Sequence, residues 1–306
     1  MSPCLLGVDF SCAPSQRKPI TAAWGQRQGT VVRLEALEAL PTLDAFEALL
    51  STGHPRGGSG WIGGFDFPFG LPRCFVDALA HAPPAGWPGS NPGIPSSPAE
   101  RLIAQLLQHC GDRQGFQALV DGWGRDWGQG SRPTTLPHRR ADTALPGISS
   151  TSPLQTRYVP VGKMYFEGLS RLVRADVALP GLRPCATVSD APPRLALEAY
   201  PGLLAQEVLG RGSYKSDDRA QQNHERLLHR LSLIDALEQG RTRLGLRLKL
   251  SPAQRDHLAS DPQGDRLDAV LCLLQAGWAH LRWSEGDTRC GLPPDIDPVE
   301  GWILTT

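Results

Sequence analysis

An excess of charge of either sign is missing from this chain. Lys+Arg and Asp+Glu both number 31 in 306 residues, for a formal net charge of zero. That balance excludes a strongly basic nucleic-acid coat protein and an acidic solvating tail. It leaves room for a local basic groove, because binding depends on where charge sits. Lysine is scarce: only Lys18, Lys163, Lys215 and Lys249 stand among the 31 basic residues. Paired cysteines are lacking as well. Cys4, Cys12, Cys74, Cys110, Cys185, Cys272 and Cys290 are odd in number and contain no C-x-x-C. This excludes a zinc ribbon and the dense, even framework of a small secreted domain; reduced thiols filling the core are expected. No apolar run approaches 18 residues, so no membrane-crossing helix is expected. The N-terminus shows neither the basic nor the apolar region of a signal peptide, and a cytoplasmic location is expected. G-x-S-x-G and G-x-x-x-x-G-K-[ST] do not occur.

What is present reads as an α/β chain. Gly 33 and Pro 28 make up a fifth of the residues, so long loops separate the elements. Residues 5–10 form an apolar run ending near an acid. Residues 20–25 and 30–34 read as the arms of a hairpin. Leu43, Phe46, Leu49 and Leu50 give a helix stripe that stops at Gly53, and residues 60–66 read as a further strand. Six prolines over 83–98 exclude a regular element there. Helical patterns follow at 99–110 and 113–127, and again from Lys163 to Arg174. The tract 131–163 carries Arg132, Arg139, Arg140, Arg157 and Lys163 against the single acid Asp142. Residues 194–200 read as a strand, and the last third as helices over 217–239 and 265–283. With no repeat and no separating linker, residues 1–306 are expected to form one domain with an insertion at about 83–165.

Three expected strands carry a single acid at or near their C-terminal end: Asp9, Asp66 and Glu198. Asp265 and Asp268 open the last long helix, three apart and therefore on neighbouring positions of one face. Each alone has a plain role as a turn brace or helix cap. Together they suggest more. In open α/β sheets the strand ends near the topological switch gather in one crevice, and carboxylates collected there repel one another unless a cation sits between them. Oxygen ligands without imidazole or thiolate select Mg²⁺ or Mn²⁺. Two such ions clamp the attacking and leaving oxygens of an in-line phosphoryl displacement, which is nuclease chemistry.

The sequence also resembles the DUF429 family, predicted to be nucleases with the ribonuclease H-like fold. The matching pieces are Gly7-Val8-Asp9-Phe10-Ser11, Gly63-Gly64-Phe65-Asp66-Phe67-Pro68-Phe69-Gly70, Glu198-Ala199-Tyr200-Pro201, Tyr214-Lys215, and Gly264-Asp265-Arg266-Leu267-Asp268-Ala269-Val270. They occur in the family's order between residue 5 and about 280. The resemblance implies a mixed sheet whose first three strands form an antiparallel meander, flanked by helices. It also implies an acidic site of Asp9, Asp66, Glu198, Asp265 and Asp268 holding two Mg²⁺ or Mn²⁺ ions. Asp9 would bridge the ions, Asp66 and Glu198 would each hold one, and Asp268 with Asp265 would close the second site. The spacing Asp265-x-x-Asp268 resembles the paired aspartates of Holliday-junction resolvases. The insertion has no counterpart.

The substrate side is assigned to Lys163 and Lys215, as point charges for a phosphate, and to Arg139 and Arg140 of the basic tract, which suits a phosphate backbone. A nucleic-acid partner fits these residues; no protein partner is identifiable. Gly58-Ser59-Gly60-Trp61-Ile62-Gly63 satisfies G-x-G-x-x-G but leads into a strand, against dinucleotide binding. His224 and His229 are five apart and do not share the face of an H-E-x-x-H site. Two alternatives stay open. One is a non-catalytic module of the same fold that binds nucleic acid or protein. The other is an ATP-using enzyme of the same superfold, which would want glycine where Ser11 stands.

Overall fold

A computed structural model of the chain describes residues 3–52, 60–89, 97–131, 134–145, 150–183 and 194–306. Gly58 and Ser59 of the G-x-G-x-x-G match, part of the proline-rich loop, Arg132 and Cys185 lie outside them. Six strands form one mixed sheet: β1 Cys4–Asp9, β2 Ile20–Gln28, β3 Val31–Leu40, β4 Trp61–Asp66, β5 Arg194–Glu198 and β6 Arg247–Lys249. Their order is β5-β4-β1-β2-β3-β6. β1, β2 and β3 are a consecutive antiparallel meander, while β4 and β5 add in parallel on one side and β6 in parallel on the other.

Helices cover both faces. On one lie α1 Leu43–Thr52, α2 Arg73–His81, α3 Pro98–Cys110, α4 Arg113–Gly122 and α5 Val161–Arg174. Phe46, Phe75, Ile103, Phe116 and Phe166 from these helices share a core with Leu6, Val8 and Phe65 of the sheet. Two of the five helices, α3 and α4, lie within the expected insertion and α5 begins at its end, and all three contribute to the main core. On the other face lie α6 Pro201–Leu209, α7 His224–Glu238, α8 Pro252–Ala259 and α9 Asp265–Ser284, packed on Leu5, Ile62, Leu195 and Leu197. Among the described residues no helix is long and apolar enough to cross a membrane.

α9 lies directly against β1 and β4, and two glycines permit it. A Cβ on Gly7 would stand 2.1 Å from the carbonyl oxygen of Ala269 and 2.2 Å from the nitrogen of Leu273; one on Gly64 would stand 2.6 Å from the carbonyl oxygen of Cys272. Gly7 and Gly64 are paired across the two strands, so together they open a flat seat for the helix backbone.

Several elements depart from the sequence expectation. β3 runs on to Leu40, α4 ends at Gly122, and α7 starts at His224, capped by Asn223. Helices α2, α6 and α8 and strand β6 were not expected. Pro201, read as the end of a strand, is the first helical residue of α6, a position that tolerates its missing N–H. Of the described cysteines, all are free; Cys4, Cys12, Cys272 and Cys290 are buried, while Cys74 is exposed.

Candidate metal centre

Side chains alternate between the faces of a strand. Leu5, Gly7 and Asp9 therefore share the α9 side of β1. The register pairs Leu5 with Ile62, Gly7 with Gly64 and Asp9 with Asp66, which puts Asp66 on the same side. The seat made by the two glycines brings the first turn of α9 over these strand ends. Asp268, fully buried, points into the same space. One carboxylate oxygen from each of Asp9, Asp66 and Asp268 lies within 4.8 Å of the other two. Ligands on opposite sides of one hard cation are about 4–5 Å apart, so this span fits a single ion. The group contains neither histidine nor cysteine, as such a cation prefers.

The electrostatics show what the cluster costs. Burial raises the Asp9 carboxyl well above the usual range; Asp268, Asp265 and Asp66 add to this, and Lys215 opposes it. Burial and then Asp268 push Asp66 up to about 7, again against Lys215. The cluster therefore takes up either protons or a cation. Lys215 is the one cation bonded to the trio among the described residues. Its Nζ donates to Asp268 Oδ2, and the Tyr214 hydroxyl donates to Asp268 Oδ1. Burial alone would lower the Lys215 ammonium; Asp268, Tyr214 and Asp9 outweigh it and hold it well above its ordinary value. Beneath the acids, burial raises the Cys272 thiol well above its ordinary range, and Asp66, Asp268 and Asp9 reinforce the shift.

The other expected site residues are placed differently. Asp265 opens α9 and is raised to about 6, mainly by burial, with Asp268 contributing; it stands at the margin, outside the trio. Lys18, paired with Asp217 at 2.7 Å, is the strongest charge opposing that rise.

Glu198 is a correction: it does not join the acids. Its register partner is Phe65, which faces the α1–α5 core, so Glu198 points to the other side of the sheet from Asp66. There the buried Arg139 holds it, with Nη1 to Oε2 at 2.8 Å and Nη2 to Oε1 at 2.5 Å. Oε2 also accepts from the Phe69 backbone N–H at 2.8 Å. Burial raises the Glu198 carboxyl, and Arg139 opposes the shift.

Arg139 is corrected with it. The guanidinium is 2% exposed, and its five N–H groups are all engaged. Nε donates to Asp142, Nη1 to Glu198 and to the carbonyl of Glu300, and Nη2 to Asp142 and Glu198. No donor remains for a substrate phosphate. Arg140 is exposed but turns to Asp295 at 3.2 Å and over the ring of Trp302. Lys163 Nζ donates to Gln114 at 3.0 Å. His229 bonds the carbonyl of Ser213 through Nδ1 at 2.9 Å.

Two features had no sequence reading. Glu300 ties three segments together: its carboxylate accepts from the backbone N–H groups of Arg73 and Arg140, and its carbonyl accepts from Arg139. Next to Asp66 lies a cleft of about 170 Å³ walled by Phe67, Met164, Tyr200 and Ile303. Comparison of the chain with models of protein families, with curated proteins and with solved structures gives no match.

Proposed function

We propose that the protein is a divalent-cation-dependent phosphodiesterase acting on nucleic acid, on a sheet of the ribonuclease H type. The observation that carries this reading is the meeting of Asp9, Asp66 and Asp268 within 4.8 Å at the ends of two parallel strands and the start of one helix. The strand order is compatible with that fold, and the resemblance to DUF429 points the same way. When bound, Mg²⁺ or Mn²⁺ supplies Lewis acidity toward a phosphoryl oxygen. Asp9, Asp66 and Asp268 hold the ion. Tyr214 fixes the orientation of Asp268 from behind, as outer partners of metal ligands do. Lys215 offsets part of the carboxylate charge and presents a point charge to a substrate phosphate. A second ion would draw on Asp265, since Glu198 faces the other way.

One observation favours a non-catalytic module instead: both oxygens of Asp268 already have protein donors. Calorimetric titration with Mn²⁺, comparing wild type with Asp9→Asn, followed by cleavage assays on labelled single strands and junctions, decides between them. Wild type should bind Mn²⁺ and cleave, and Asp9→Asn should lose both. Equal Mn²⁺ affinity in the two proteins would sink the metal centre; binding without turnover on any substrate would favour the module.

A further inference from the structure

The cleft beside Asp66 has its own chemistry. At about 170 Å³ it falls below the roughly 300 Å³ at which pockets for drug-sized ligands begin; it has room for one ring system. Its walls are mostly apolar, from Val159, Val161, Met164, Ile303 and the ring of Tyr200. The guanidinium of Arg139 reaches the wall, but its donors are all consumed and its charge is matched by Glu198 and Asp142. That guanidinium offers an anionic occupant no free donor, whereas a flat neutral ring would lose little on leaving water. Thr151 brings an exposed hydroxyl to the rim.

A second observation comes from the mouth. Tyr158 precedes the wall residue Val159, is 98% exposed, and has a left-handed backbone with φ of 61°. Bulky residues seldom adopt that conformation, and such strain collects at ligand clamps. Val159 is itself 58% exposed, so the turn presents an aromatic ring and an apolar side chain to solvent together.

We propose that this cleft is the subsite for a single nucleobase, seated against Tyr200 and Met164 and covered from the mouth by Tyr158. This rests on the phosphodiesterase reading for the identity of the ring. Asp66 belongs to both the carboxylate trio and the cleft, so a base held here has its own phosphate beside Asp9, Asp66 and Asp268. Apolar and aromatic walls suit any base through its π-face, and a pocket that takes one base selects unpaired or extruded nucleotides over intact duplex.

The test uses adenosine and thymidine, which carry no phosphate, in ligand-observed NMR titrations of the full chain, with Mn²⁺ calorimetry in parallel. Wild type should bind both nucleosides. Val161→Phe, which narrows the cleft, and Tyr158→Gly, which removes an exposed ring and relieves the backbone, should each weaken nucleoside binding at least fivefold and leave Mn²⁺ affinity within twofold. Wild type that binds Mn²⁺ but no nucleoside, or nucleoside affinity unchanged in both variants, would overturn the subsite. Nucleoside binding that the variants weaken, without Mn²⁺ binding in wild type, would uphold the subsite and remove the phosphodiesterase reading instead.

Discussion

Asp66 gives the candidate centre a pH signature. Its folded value of about 7 lies above the ordinary carboxylate range. Between that range and pH 7 the folded protein holds a proton that the unfolded chain has released, so this group's contribution to stability falls as pH rises across the window. A cation needs the ionised form. Mn²⁺ affinity should therefore rise with pH on the approach to about 7, by at least about tenfold per unit while a proton is displaced. Calorimetry in two buffers of different ionisation enthalpy should show proton release at pH 6. Arg139 makes a second prediction at this scale. Arg139→Leu leaves Glu198 and Asp142 buried and unpaired, and removing one partner of a buried pair costs about 3–5 kcal/mol. Urea unfolding should show that loss. Asp9 and Asp66 are legible because each is a lone acid at the end of an apolar strand, and Asp268 because it pairs with Asp265 at the start of a periodic helix. Glu198 looked equivalent in sequence. Both faces of β5 are covered, so Leu195, Ala196 and Leu197 are all buried, and no polar alternation reveals which way Glu198 turns.

At the scale of elements, the seat of α9 decides the geometry. Gly7→Ala would drive a methyl group into helix backbone, with no flexible side chain to yield. A loss of about 3 kcal/mol, the upper end for overpacking, is expected in denaturant titration, together with weaker Mn²⁺ binding as Asp268 is lifted from Asp9. The core-facing periodicity made α9 and α3 readable. The short helices were hidden for local reasons. α8 has the capping-box pair Ser251 and Gln254 and Pro252 in its first turn, but its eight residues carry only a weak apolar stripe. α2 follows Pro72 directly, and its first N–H, from Arg73, is satisfied by the distant Glu300, a partner no local pattern announces.

Across the whole molecule, the sheet separates two kinds of polar chemistry. On the α9 side, the trio keeps carboxylates close together with one lysine attached. On the other side, Arg139, Asp142, Glu198 and Glu300 form a closed network that joins the former insertion to β5 and to the last residues described. Ile303 bridges Glu198 in parallel, and Leu304 N–H donates to its carbonyl. The cleft beside Asp66 lies between the two. Its walls come from segments more than 200 residues apart in sequence, between Phe67 and Ile303, which is why no single stretch announced it. The direct contact of α9 with Gly7 and Gly64 also sets where the chain can change length. One residue added in the first turn of α9 would swing Asp268 by about 100° around the helix axis and leave the acids of β1 and β4 facing a different side chain. Residues added at the exposed turn Ala85-Gly86 after α2 cost only the slow growth of loop-closure entropy. Insertions and deletions should therefore collect before α3 and be purged from the start of α9.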